Sequence, residues 1–152
     1  MTDLPVSFSV YSFTRKDGLQ SFALLGPEGL VKPVTDFVNF ELLTAQSGVN
    51  TLRAKVYDLK HWFTFLHEKR LRWDEVTWKE GEVLARYADW LRFGDQVGAE
   101  ARVIRIAPTR LRSESTVGRA LSNLYGFYEF HHKTPFAQLE RAVKGGAMHD
   151  EE

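Results

Sequence analysis

The sequence predicts a mainly α-helical protein: a bundle of about four helices, preceded by a small N-terminal β-hairpin and a short helix. Three observations predict it. Apolar residues recur at the 3.6-residue period in the long segments after residue 50. Apolar residues alternate with mostly polar ones in the first 25 residues or so, where turn signals punctuate them. A content of 43% hydrophobic and 13% aromatic residues in 152 is enough to bury a core.

"VSFSVYSFTRKDGLQSFALLG" reads as the hairpin, with Val6, Phe8, Val10, Phe22 and Leu24 alternating with mostly polar neighbours and "KDG" as the turn. "PEGLVKPV" adds a second turn and a short extended piece, its prolines removing helix as an option at both ends. A helix is expected to begin after Thr35, with Asp36 near its N-terminus, and to run to Gly48. "NTLRAKVYDLKHWFTFLHEKRL" is the strongest helix, and Leu52, Val56, Leu59, Phe63 and Leu66 mark its buried stripe. "TWKE" matches a capping box, with the Thr77 hydroxyl and the Glu80 carboxylate satisfying each other's backbone N–H groups. The helix it opens buries Val83, Leu84, Tyr87 and Leu91 and stops at "FGDQVG".

A basic connection leads to a helix over 115–132 that Ser113 or Ser115 caps, with Val117, Leu121, Leu124 and Tyr128 as its core stripe and Tyr125 beside it. "PFAQLERAVKGG" is a short last helix, with Pro135 at its start and Gly145–Gly146 as its stop. The expected organisation is a β-hairpin appendage over 1–34, a helical domain over 35–144 and the start of a linker over 145–152.

Twenty basic and twenty acidic residues cancel, but not evenly along the chain. Thr51–Arg70 holds 5 Lys/Arg against 2 Asp/Glu, and Glu100–Lys144 holds 8 against 4. Two basic blocks suit a polyanionic partner, and equally suit ordinary solvated faces. The absence of cysteine excludes disulfides and thiolate chemistry. No apolar run approaches the roughly 20 residues that span a bilayer, and "MTDLPVSFSV" lacks the order of a signal peptide, so the expected setting is cytoplasmic. No metal or cofactor is expected. His131 and His132 are adjacent and diverge on a helix, His61 and His67 do not share a face, and no G-K-[ST] follows a glycine loop. Asp74–Glu75 and "HDEE" read as solvated charge.

Opposite the apolar stripe of the 115–132 helix, Arg112, Thr116, Arg119 and Asn123 advance by four, three and four residues. These residue types read a duplex: arginine pairs with guanine, asparagine with adenine, and threonine reaches phosphate or the thymine methyl. They also suit exposed positions or bonds within the chain. Arg53, Tyr57, Lys60 and Thr64 form a comparable stripe on the 51–69 helix.

The ordered set of motifs resembles the core-binding domain of tyrosine recombinases and phage-type integrases. Thr51, Tyr57, Leu59, Phe63, Phe65 and Leu66 match its first helix, after the approach "LLTAQSGVNT". A W-x-x-V-T lead from Trp73 to Thr77 precedes a second helix ending at Trp90–Leu91. Ser113, Ser115, Thr116, Val117, Arg119, Leu121, Ser122, Leu124, Phe127 and Tyr128 match the next helix, and Thr134–Pro135 the step into the last. The resemblance spans roughly Phe37 to Arg141.

It implies a SAM-like helical half of a clamp on double-stranded DNA, nucleoid-associated and of prokaryotic or mobile-element origin, with neighbouring recombinase protomers as partners and no small-molecule substrate. Carried over by position, the DNA-binding residues are Thr51, Arg53, Lys55, Lys60, Arg110, Arg112, Ser115, Thr116, Arg119, Asn123 and Lys133, with Arg105 as a further phosphate contact. Family enzymes cleave through a tyrosine that follows an H-x-x-R step. The one H-x-x-R step here, His67 to Arg70, falls at the end of the 51–69 helix, inside the stretch that matches the core-binding domain rather than after it. The chain is therefore expected to be non-catalytic, with the catalytic domain of the parent recombinase absent. A second reading, from another class, is a helical protein–protein module that presents Trp62, Phe65, Phe127 and Phe130 as exposed rings.

Overall fold

The computed structural model describes residues 7–44, 48–76, 82–94 and 110–131. The fold is mainly α, with four helices among the described residues and a small antiparallel sheet at the N-terminus. The chain divides into two compact units, Met1–Glu68 and Lys69–Glu152. The hairpin thus groups with the first helices. The expected Thr77–Glu80 capping box, the final helix after Pro135 and the linker lie outside the described residues.

In the first unit, strands β1 (Ser9–Thr14), β2 (Gln20–Gly26) and β3 (Gly29–Leu30) form one antiparallel sheet in that order. The "KDG" turn is where the sequence places it. Gly18 adopts φ +87, and the Arg15 N–H donates to the Leu19 carbonyl at 2.8 Å to close the loop. Phe8, Phe22 and Leu24 are buried on one face. Register brings Phe8 alongside Gly26, where any Cβ would overlap the Phe8 ring, so only glycine leaves that ring its seat. Phe8 then packs against Phe63 and His67, with ring centroids 6.3 and 6.0 Å away.

Helix α1 spans Lys32–Leu43 and starts earlier than the expected position after Thr35. Pro33 does not delay it, because proline in the first turn lacks only an N–H that has no helical partner there. Val34, Phe37, Val38 and Glu41 form its buried stripe. Helix α2 (Val49–Lys69) buries the whole expected stripe, and buries a second one beside it: Asp58, Trp62 and Phe65. The Trp62 and Phe65 rings stack with centroids 5.9 Å apart.

In the second unit, helix α3 (Glu82–Phe93) buries Tyr87, Ala88 and Leu91, while Val83 and Leu84 stay half-exposed. Helix α4 (Glu114–His131) buries Val117, Ala120, Leu124, Phe127 and Tyr128. Its apolar face is therefore centred one position round from the expected stripe, and Leu121 and Tyr125 lie at the margin. Trp73 explains the shift. Its ring lies 5.6 Å from Phe127, 5.9 Å from Tyr128 and 4.9 Å from His131, and its carbonyl accepts the Tyr128 hydroxyl at 2.5 Å. The rings of this helix fasten it to the 71–76 connection.

Candidate nucleic-acid interface

The start of α4 is built with unusual care. Ser113 is its N-cap: the Ser113 Oγ accepts the Thr116 N–H at 3.2 Å and also donates to the Thr116 hydroxyl at 3.1 Å. Glu114, the first helical residue, receives Arg92 of α3 through two guanidinium nitrogens, at 2.7 and 3.2 Å, and Arg110 at 2.7 Å. These bonds hold the Glu114 carboxyl down at about 2, with Arg92 as the larger cause and Arg110 the next. The same contact with Glu114 raises the Arg92 pKa. Arg112 donates to the Leu91 carbonyl at 2.8 Å, and the Leu111 N–H to the Arg92 carbonyl at 2.6 Å, so the carbonyls at the end of α3 are satisfied by the chain entering α4. Gly94, at φ +66, provides the left-handed turn that ends α3.

Above that anchorage the exposed face of α4 carries Ser115, Gly118, Arg119 and Ser122, with Thr116 and Asn123 half-exposed at its edge. From Ser115 to Tyr128 there is no carboxylate. A Cβ added at Gly118 or Gly126 would meet nothing within 4 Å, so the face is low as well as polar.

The expected DNA contacts therefore fall into two groups in this unit. Ser115, Thr116, Arg119 and Asn123 share one outward sector of α4. Arg110 and Arg112 do not join it as a stripe: they brace the α3–α4 junction, Arg110 also lying 5.5 Å over the Phe93 ring. Lys133 and Arg105 lie outside the described residues. Sequence reasoning missed Arg92 and Glu114. The four-residue spacing of Arg110 and Glu114 at a helix start was the available signal. Nothing local pointed to Arg92, which is 22 residues from Glu114.

In the first unit, the exposed sector of α2 carries Arg53 and Tyr57, with Lys60 and Thr64 half-exposed beside them. Thr51 is exposed in the first turn. Arg53 donates to Asn50 at 3.0 Å and lies 5.3 Å over the Phe22 ring, and Lys60 lies 5.7 Å over Tyr57. Lys55 points elsewhere. Its ammonium meets the buried Glu41 carboxylate of α1 at 2.7 Å. At the hairpin tip, Arg15 is likewise engaged, by Asp17 at 3.1 Å and Asn39 of α1 at 3.3 Å.

The rings of the protein–protein reading are mostly not exposed. Trp62, Phe65 and Phe127 are at most 1% exposed, and Phe130 is half-buried. Trp62 and Phe65 belong to the second buried stripe of α2, which a single-face reading of the periodicity overlooks. Among the described residues no cluster of side chains has the makings of a metal site, and no helix is long and apolar enough to cross a membrane.

No protein-family model, curated protein or solved structure matches this chain. The arrangement of its own residues thus bears the functional argument.

Proposed function

We propose that this chain binds duplex DNA as the SAM-like core-binding domain of a tyrosine-recombinase or integrase-like protein, with α4 reading the major groove. One observation carries the reading: α4 presents Ser115, Thr116, Arg119 and Asn123 in a carboxylate-free sector, on a helix fixed by Trp73 beneath and by Arg92, Arg110 and Arg112 at its start. A reading helix needs that rigidity, because base discrimination rests on hydrogen bonds whose geometry tolerates little error. At the entry to the sector the ionised Glu114 carboxylate is compensated by Arg92 and Arg110. Gly118 and Gly126 allow the helix surface close approach to a sugar–phosphate wall. Thr51, Arg53 and Lys60 on α2 are the accompanying contacts of the first unit, and Lys55 is assigned to Glu41 instead. Strand cleavage, in this reading, belongs to a separate catalytic domain of the parent recombinase, and neighbouring protomers share the site.

The test is selection from a random duplex pool by wild type and Arg119→Ala at about 50 and 200 mM salt, with the retained DNA sequenced. Wild type should enrich an inverted repeat. Arg119→Ala should lose about tenfold or more in affinity and relax one base position, as expected for loss of a two-bond contact to a base. Retention without any enriched sequence would reduce the reading to phosphate binding. No retention at the lower salt would remove it.

A further inference from the structure

Strand β1 is an edge strand, and it carries none of the features that keep edges from pairing. It runs six residues in unbroken register with β2, with no charge, no proline and no bulge. The opposite edge is guarded by brevity, since β3 has two residues. Among the described residues no strand lies along the outer side of β1. All of Ser9–Thr14 except Val10 is exposed, and Tyr11 and Phe13 are 52% and 46% exposed.

The phase of the ladder says which backbone groups face outward. Arg15 bonds to Leu19, so, counting back, Phe13, Tyr11 and Ser9 exchange hydrogen bonds with β2. Val10, Ser12 and Thr14 alternate with them and turn their N–H and C=O groups to the free edge. The Val31 N–H bond to the Leu24 carbonyl agrees, since Leu24 pairs with Val10 and directs its carbonyl away from β1.

The exposed stretch is also a chemical palindrome. Val10-Tyr11-Ser12-Phe13-Thr14 reads β-branched, aromatic, serine, aromatic, β-branched in either direction. We infer that β1 pairs antiparallel with β1 of a second copy of this chain about a two-fold axis at Ser12, joining two three-stranded sheets into one of six.

The phase of the edge and the order of its side chains both fit that register. A two-fold axis perpendicular to the sheet needs residues on the same face to oppose each other, and Tyr11 opposite the partner copy's Phe13 satisfies this. The outward backbone groups of Val10, Ser12 and Thr14 then meet those of Thr14, Ser12 and Val10. Tyr11 and Phe13 fall at the non-hydrogen-bonded positions, where side chains lie closest, so two aromatic pairs form. No like charges are opposed. This pairing involves neither α4 nor DNA, so it stands or falls apart from the DNA-binding reading.

The test is the mass of the full chain by sedimentation, without DNA, over roughly 1 μM to 1 mM, the range of a weak interface. Wild type should pass from one chain mass to two. Ser12→Pro removes an N–H that β2 does not use, so it should stay monomeric throughout while keeping the helical circular dichroism of wild type. The chain has no cysteine, so Ser12→Cys should form a disulfide-linked dimer on oxidation. Thr14→Cys, which faces Val10, should cross-link at least tenfold more slowly. A wild type that stays at one chain mass overturns the inference and leaves the edge to a strand of another protein. So does a dimer that survives Ser12→Pro. If Ser12→Pro loses its helical signal, the cysteine pair decides: equal cross-linking at both positions overturns the register.

Discussion

Helices α2 and α4 both display basic and hydroxyl side chains on an exposed sector, but they differ in how far they are buried. On α2 the cations belong to the helix body and are drawn to its neighbours: Lys55 to the buried Glu41, Arg53 to Asn50 and the Phe22 ring, Lys60 to Tyr57. At the start of α4, Arg110 and Arg112 from before the helix and Arg92 of α3 make the bonds that hold it. α2 is covered on two adjacent stripes and α4 on one. A helix covered on two stripes is chiefly architectural, while one covered on a single stripe has a face left for a partner.

Substitutions can break this comparison, and the largest effect belongs to the second stripe of α2. Trp62→Ala should cost about 3–5 kcal/mol, because Trp62 is fully buried and stacked on Phe65. Phe130→Ala, at a half-buried ring of α4, should cost clearly less. Chemical denaturation of both variants checks this, and equal losses would erase the distinction between the helices.

Next is Lys55→Ala, which leaves the Glu41 carboxylate buried without its ammonium and should cost about 1.5–3 kcal/mol. If Lys55 served DNA instead of the fold, the melting temperature would hold and only DNA affinity would fall.

Ser113→Ala removes the α4 cap and should cost about 1 kcal/mol. A loss that small leaves the variant folded at room temperature, so its DNA affinity reports whether the start of α4 must be rigid to read a duplex.

The smallest effect is that of Glu114→Gln, and it depends on pH. The folded-state pKa of Glu114 is depressed, so its contribution is complete above the ordinary carboxylate value of about 4.5 and is lost as pH falls towards about 2. Thermal melts of wild type and Glu114→Gln should differ near pH 6 and converge by pH 2. A gap that persists at pH 2 would mean that the carboxylate charge is not what joins α3 to α4.

Much of this was legible in the residues themselves. Leu52, Val56, Leu59, Phe63 and Leu66 are buried as their spacing predicts, the "KDG" turn closes the hairpin, and Ser113 caps α4. Each of these follows from interactions over a few residues, and short-range geometry is written directly in sequence order. Pro33 lies within α1 against the expectation from its sequence, because a helix's first turn accepts what its interior rejects.

What the tertiary structure alone decided is which remaining side chains are engaged. Lys55 meets a carboxylate 14 residues away, Arg112 a carbonyl 21 away, and Tyr128 a carbonyl 55 away. Trp62 and Phe65 occupy a face of α2 that its main apolar stripe does not include. The sequence by itself determined that the segments of α2, α3 and α4 are helical, that the N-terminal segment is a hairpin, and which sector of α4 is polar, because those depend on periodicity and turn chemistry. Whether a given ring or cation lies inside depended on chain segments brought together from a distance, and no local pattern encodes that.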